Sequence, residues 1–170
     1  MTSTGNGGLF SLNNAGVITG TIQNSVISRS VAQTNGGIGY IVTSSAVVTF
    51  TLNLVTISYS RVNINDGGSF YVSSSIGLST INMDYVEVTD TKSGTSGGGG
   101  FLYVGGISTT ITSTNGITIY QASARGGTGG VFKLANTNVA TLNVDQITVD
   151  TSSASTHGGY LSFSGTTLNY

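Results

Sequence analysis

Gly36-Gly37-Ile38-Gly39-Tyr40-Ile41, Gly67-Gly68-Ser69-Phe70-Tyr71-Val72 and Gly99-Gly100-Phe101-Leu102-Tyr103-Val104 are three copies of one hexapeptide. Further copies are Gly7-Gly8-Leu9-Phe10-Ser11-Leu12, Gly129-Gly130-Val131-Phe132-Lys133-Leu134 and Gly158-Gly159-Tyr160-Leu161-Ser162-Phe163. The glycine pairs therefore recur at a nearly constant interval along the whole chain. Self-similarity at a period of about 20–50 residues marks an architecture of stacked units, and it outranks local propensity.

Inside the hexapeptide the second and fourth residues after the pair are apolar, with Gly39 the exception. Period two is a strand with one buried face. The inward columns read Phe10, Gly39, Phe70, Leu102, Phe132, Leu161 and Leu12, Ile41, Val72, Val104, Leu134, Phe163. A second apolar block follows, aligned as Ile22, Leu52, Ile81, Thr112, Leu142. Further columns are Ile27, Ile57, Val86, Ile117, Ile147 and Tyr59, Val88, Ile119, Val149, with Arg29 discordant. The apolar spacing is two strands separated by a bend, rich in β-branched residues, and it excludes helix. The expected fold is all-β: a right-handed parallel β-helix (solenoid) over residues 1–170, with about 30 residues and three strands per rung. It has five full rungs and a partial one. Thr21, Thr51, Thr80 and Thr141 are expected to form one ladder between rungs, and Gln23, Asn53, Asn82 and Asn143 another. The glycine pairs suit a bend needing positive φ and close approach of neighbouring turns. The absence of proline fits strands that all donate to a ladder. A propeller blade needs more residues per repeat, and a sandwich shows no column identity at a fixed period.

Composition narrows the function classes. Of 170 residues only 6% are charged, and the net charge is -1. A nucleic-acid-binding face needs dense positive charge, so that class is excluded. The chain has no cysteine, which excludes disulfides, thiolate metal sites and a cysteine nucleophile. No apolar run reaches the length of a membrane-spanning helix. Met1-Thr2-Ser3-Thr4-Gly5-Asn6 carries no basic or apolar leader pattern. With Ser and Thr abundant and charge sparse, the chain reads as a mature piece of an extracellular or cell-surface protein.

Ser30-Val31-Ala32-Gln33-Thr34-Asn35-Gly36-Gly37, Gln121-Ala122-Ser123-Ala124-Arg125 and Ser152-Ser153-Ala154-Ser155-Thr156-His157-Gly158-Gly159 are small-residue stretches that precede the next repeat. With Gly-Gly-x-Phe-x-Leu and a following strand pair, they make essentially the whole chain resemble the pectin-lyase-like right-handed β-helix repeats. The likeness is greatest to the polymorphic outer-membrane-protein type and the Gly-Gly-repeat surface proteins of single-celled eukaryotes. The resemblance implies right-handed coiling and a cell-surface or extracellular setting.

Few residues suggest chemistry. His157 has no second histidine to join it in a triad or metal site. Asp84 and Asp145 share a column two rungs apart, about 10 Å, which is wide for a glycosidase pair. Gly97–Gly100 is not followed by the Lys-Ser/Thr and helix of a phosphate loop. No catalytic, cofactor-binding or metal-binding residue is therefore assigned, no cofactor is implied, and no enzyme activity is expected. Tyr40, Tyr71 and Tyr103 form an outward aromatic column that could bind sugar rings or act as a stabilising ladder. Thr19/Thr21 and Thr49/Thr51 resemble the threonine arrays of ice-binding solenoids. The array breaks at the third rung when Leu78 and Thr80 are aligned with it. None of the asparagines begins an Asn-x-Ser/Thr sequon. Neither end carries a capping pattern, and Leu168 and Tyr170 keep the alternation. Two readings follow: the chain is a segment of a longer rod, or rung 158–170 stacks on rung 7–35 of another copy, a contact that builds a filament. The expected role is thus a non-enzymatic structural surface solenoid, with carbohydrate-binding or carbohydrate-active and ice-binding solenoids as alternatives.

Overall fold

The computed structural model describes residues 1–14, 16–44 and 47–169. Tyr170, placed by its sequence in the final alternation, lies outside the described residues. Fourteen strands follow one another without a helix among the described residues. They are β1 (Thr2–Ser3), β2 (Phe10–Asn14), β3 (Ile18–Ser28), β4 (Val31–Ala32), β5 (Gly39–Thr43), β6 (Val48–Ser58) and β7 (Arg61–Val62). Then come β8 (Phe70–Ser93), β9 (Leu102–Ser113), β10 (Ile117–Ala124), β11 (Phe132–Val144), β12 (Ile147–Ala154), β13 (Leu161–Ser164) and β14 (Thr167–Asn169). Every pairing is parallel, and each strand pairs with its counterpart one rung away. The molecule is a parallel β-solenoid of about five turns.

The glycine pairs sit at one corner, and the two residues have separate reasons to be glycine. The first of each pair is left-handed, with φ running from 59 at Gly36 to 71 at Gly67 and between these at Gly7, Gly99, Gly129 and Gly158. Glycine adopts that conformation without steric cost. The second lies against the next rung. A Cβ on Gly37 would overlap the Gly68 carbonyl, and one on Gly100 the Gly130 carbonyl.

The first inward column forms as expected, with Phe70 and Phe132 each in register with Leu102. Gly39 interrupts the side chains but leaves no void, because the Phe10 ring lies where its Cβ would be. Gly20 likewise lies under the Phe50 ring. Phe10, Phe50, Phe70, Phe101, Phe132 and Tyr160 follow one another with ring centroids 5.2–6.3 Å apart, an aromatic spine through the core. Ile38, Phe101 and Val131, directly after the glycine pairs, are fully buried too. Each is followed by a second buried residue (Gly39, Leu102 and Phe132), so the chain places two consecutive residues inward at the corner before the expected alternation starts.

The second block differs from its sequence alignment by two residues at Ile81 and Leu142 and by one at Thr112, which points outward between the buried Ile111 and Ser113. Leu52 pairs with Met83, not Ile81, and Phe50 pairs with Ile81. The true columns are Gly20, Phe50, Ile81, Ile111, Leu142 and Ile22, Leu52, Met83, Ser113, Val144. Val86, Ile117 and Ile147 stack on Val55, while Ile27 and Ile57 stack on Val88, Ile119 and Val149. A slip of two keeps inward residues inward, so the burial pattern alone does not reveal it. Arg29, Tyr59, Asp90, Gln121 and Thr151, with φ from 51 at Asp90 to 59 at Gln121, form a left-handed corner, and this removes the apparent discordance of Arg29.

Candidate functional site

The tyrosine column is present and tightly stacked. Tyr40 and Tyr71 lie 5.2 Å apart at 19°, and Tyr71 and Tyr103 lie 4.5 Å apart at 3°. The Lys133 ammonium covers the far face of Tyr103 at 5.3 Å and binds Asp66 at 2.9 Å. Asp66 also accepts the Gly98 backbone N–H at 2.8 Å, so the cluster ties three rungs together. Burial raises all three tyrosine pKa values above the ordinary range. The neighbouring phenols and Asp66 push Tyr71 further up, and the Tyr71–Tyr103 hydroxyl contact holds its proton. Because the inner ring faces cover one another, the column offers mainly ring edges to a ligand. A sugar stacks on a face.

The corrected register changes the threonine surface. Thr19, Thr49, Thr80, Thr110 and Thr141 are in register through five successive rungs. Two residues along each strand runs Thr21, Thr51, Asn82, Thr112, Asn143. The sequence alignment mixes these two columns, which is why the array stops there after two rungs. The same slip separates Thr80 from Thr51 and Asn82 from Asn53 in the expected ladders. These side chains point outward from the strands, beside buried Val48, Phe50, Ile81, Ile111 and Leu142. The face carries hydroxyls and amides and no cation.

A third surface has no forerunner in the sequence reading. The bend between the second and third strand segments of each rung is left-handed at Asn24, Leu54, Tyr85 and Gly116. Asn and Gly accept that conformation readily. Leu54 and Tyr85 hold it at a cost of about 1–2 kcal/mol each. Both side chains are more than half exposed, so the burial of those side chains does not offset the cost. Gly116 leaves a gap in this otherwise side-chain-bearing row. Beside the gap is a groove of about 480 Å³ with Tyr85 and Tyr120 at its walls and Asn115 and Gln146 flanking Gly116. Glu87 is the charged side chain at its lining. An apolar or aromatic residue directly after the second block, where the alternation stops, was the available signal.

The remaining candidates do not converge. Asp84 accepts a hydrogen bond from the Asn115 side chain at 2.6 Å on the surface. His157 is exposed, and its backbone carbonyl accepts the Gly129 N–H at 3.1 Å. Among the described residues no group of three or more His, Asp or Glu is placed to hold a metal ion. No helix among them is long and apolar enough to cross a membrane. No family model, curated protein or solved structure matches the chain.

Proposed function

We propose that this chain is a non-enzymatic structural solenoid of an extracellular or cell-surface setting, whose copies stack end to end. The observation that carries the reading is that both outer rungs repeat the inner pattern while leaving its core half open. Leu12 is 40% exposed, although Ile41 in the same column is fully buried. Leu161 and Phe163 are only partly buried at the other end. Gly159 occupies the corner position at which a following carbonyl excludes any side chain, and the nearest atom to its virtual Cβ is the Ser152 carbonyl oxygen, 3.5 Å away. A second copy placing Gly8 there would continue the first-strand columns: Phe10 beneath Leu161, Leu12 beneath Phe163. Arg29 is the single charged side chain in residues 1–35, and residues 158–170 have none, so repulsion does not oppose the contact. The interface is heterologous and does not close.

Negative-stain electron microscopy tests this. Thin fibres with an axial repeat of about 25–30 Å per copy are expected. A monomer that persists at high concentration would refute it.

The threonine face supports a second reading, ice binding. It presents hydroxyls on a grid of about 4.8 by 6.7 Å, comparable to oxygen repeats in ice. Ice crystals shaped by the protein but not by Thr80→Tyr would favour it, and crystals unaffected by either would reject it.

A further inference from the structure

We infer that copies of this chain also associate side by side, the arginine-bearing side of one copy lying against the carboxylate-bearing side of another. The chain has only five cationic and six anionic side chains, and they are unevenly placed. Two pairs are closed internally, Lys133 with Asp66 at 2.9 Å and Lys92 with Asp90 at 2.6 Å. Every remaining Arg, Asp and Glu belongs to one of two strips. Arg29, Arg61 and Arg125 are exposed and have no carboxylate partner among the described residues. Glu87, Asp145 and Asp150 are exposed, Asp84 is half-buried, and none has a cationic partner there.

The fold keeps the two strips apart. Asp84 and Asp145 come directly before the bend. Glu87 and Asp150 stand between the bend and the left-handed corner formed by Arg29, Tyr59, Asp90, Gln121 and Thr151. Arg29 occupies that corner, and Arg61 and Arg125 follow it. Arg29 and Arg61 line a groove with Val31 and Tyr59, and no acid joins them. Asp90, the one carboxylate at the corner, is taken by Lys92.

A chain that sorts opposite charges onto two sides is electrostatically complementary to a second copy of itself. Each copy uses two different sides, so the contact is heterologous and passes from copy to copy. The axial spacing agrees. Arg61 and Arg125 are two rungs apart, as are Glu87 and Asp150, about 10 Å in each case. Exposed ion pairs are individually weak, and repetition along a fibre adds them up. Bundling of fibres therefore rests on the end-to-end stacking proposed above, whereas attraction between single copies does not.

Two readouts test this at ionic strengths of about 0.01 and 0.1 M, between which the screening length falls from about 30 to about 10 Å. Static light scattering of the dilute chain gives the second virial coefficient and needs no fibres. It should be negative at the lower ionic strength and rise at the higher. Electron microscopy should show fibres in lateral bundles at the lower ionic strength and single fibres at the higher. Glu87→Gln/Asp150→Asn removes two acids, which turns the net charge of -1 into +1, and should abolish the attraction at unchanged charge magnitude. Arg29→Gln/Arg61→Gln should abolish it too. Thr49→Glu/Thr110→Glu shifts the net charge as far as the arginine variant does, on the threonine face, and should retain it. A positive coefficient for the parent at the lower ionic strength, fibres that stay single there, or attraction that survives both strip variants would overturn the inference. A negative, strip-dependent coefficient without fibres would uphold it and refute the end-to-end reading instead.

Discussion

Replacing Phe132 by alanine is the sharpest probe of how the rungs hold one another. Phe132 is fully buried, with Phe101 at 6.0 Å and Tyr160 at 5.7 Å, both close to edge-on. Its column neighbours are Leu102 and Leu161. Losing a buried benzyl group removes its transfer free energy and leaves a cavity, together about 3–5 kcal/mol. The backbone around it is pinned by ladders on both sides and cannot collapse into the space, so the upper half of that range is expected. The two ring contacts account for about 0.5–1.5 kcal/mol each. Phe132→Leu is the control, because leucine already stands one rung to either side. It should cost about 1 kcal/mol. Urea unfolding followed by circular dichroism gives the free energies. Hydrogen exchange locates the damage, and in a solenoid of nearest-neighbour contacts it should fall on residues 129–169 while strands before Gly67 stay protected. An alanine variant within about 1 kcal/mol of the parent, or a leucine variant as costly as alanine, would refute the reasoning.

Other perturbations address the corner and the tyrosines. Gly100→Ala should destabilise well beyond the roughly 1 kcal/mol range of ordinary glycine effects, since its Cβ would overlap the Gly130 carbonyl and the Ser123 backbone. Thermal melting of that variant beside Gly5→Ala, where the added Cβ meets open space, provides the comparison. The stacked tyrosines also predict alkaline behaviour. Their folded pKa values lie above the unfolded value of 10.0, so the unfolded chain releases protons first as pH rises. Stability should be flat below that value and fall above it. Tyr71→Phe, measured by urea unfolding between neutral and alkaline pH, should make that fall shallower.

The rung length, the glycine corner and the first strand were legible because each leaves a local mark in the sequence. The second block misleads because Ile81 continues the apolar spacing within the block, although Leu52 pairs with Met83 and both lie 16 residues after the first glycine of their pair. Rung length varies at the turns, and apolar residues two apart are interchangeable to a pattern that records only inward and outward. That single slip hides the five-rung threonine column. Phe101 and Ile38 are hidden for another reason, the two consecutive inward residues at the corner. The groove depends on what the bend residues do in three dimensions. Tyr85 and Gly116 share a row only after the register is correct.

The stacking register is the central claim, and paired cysteines test it most directly because the chain has none of its own. Thr51 and Asn82 are direct partners in adjacent rungs, which places their Cα atoms about 4.8 Å apart, within disulfide reach. Thr51 and Thr80 are displaced by two residues, about 8 Å, and beyond it. Mild oxidation of Thr51→Cys/Asn82→Cys should give an intramolecular disulfide in the folded protein, and Thr51→Cys/Thr80→Cys should keep both thiols free. The opposite outcome, or a disulfide in neither, would contradict the solenoid register described here.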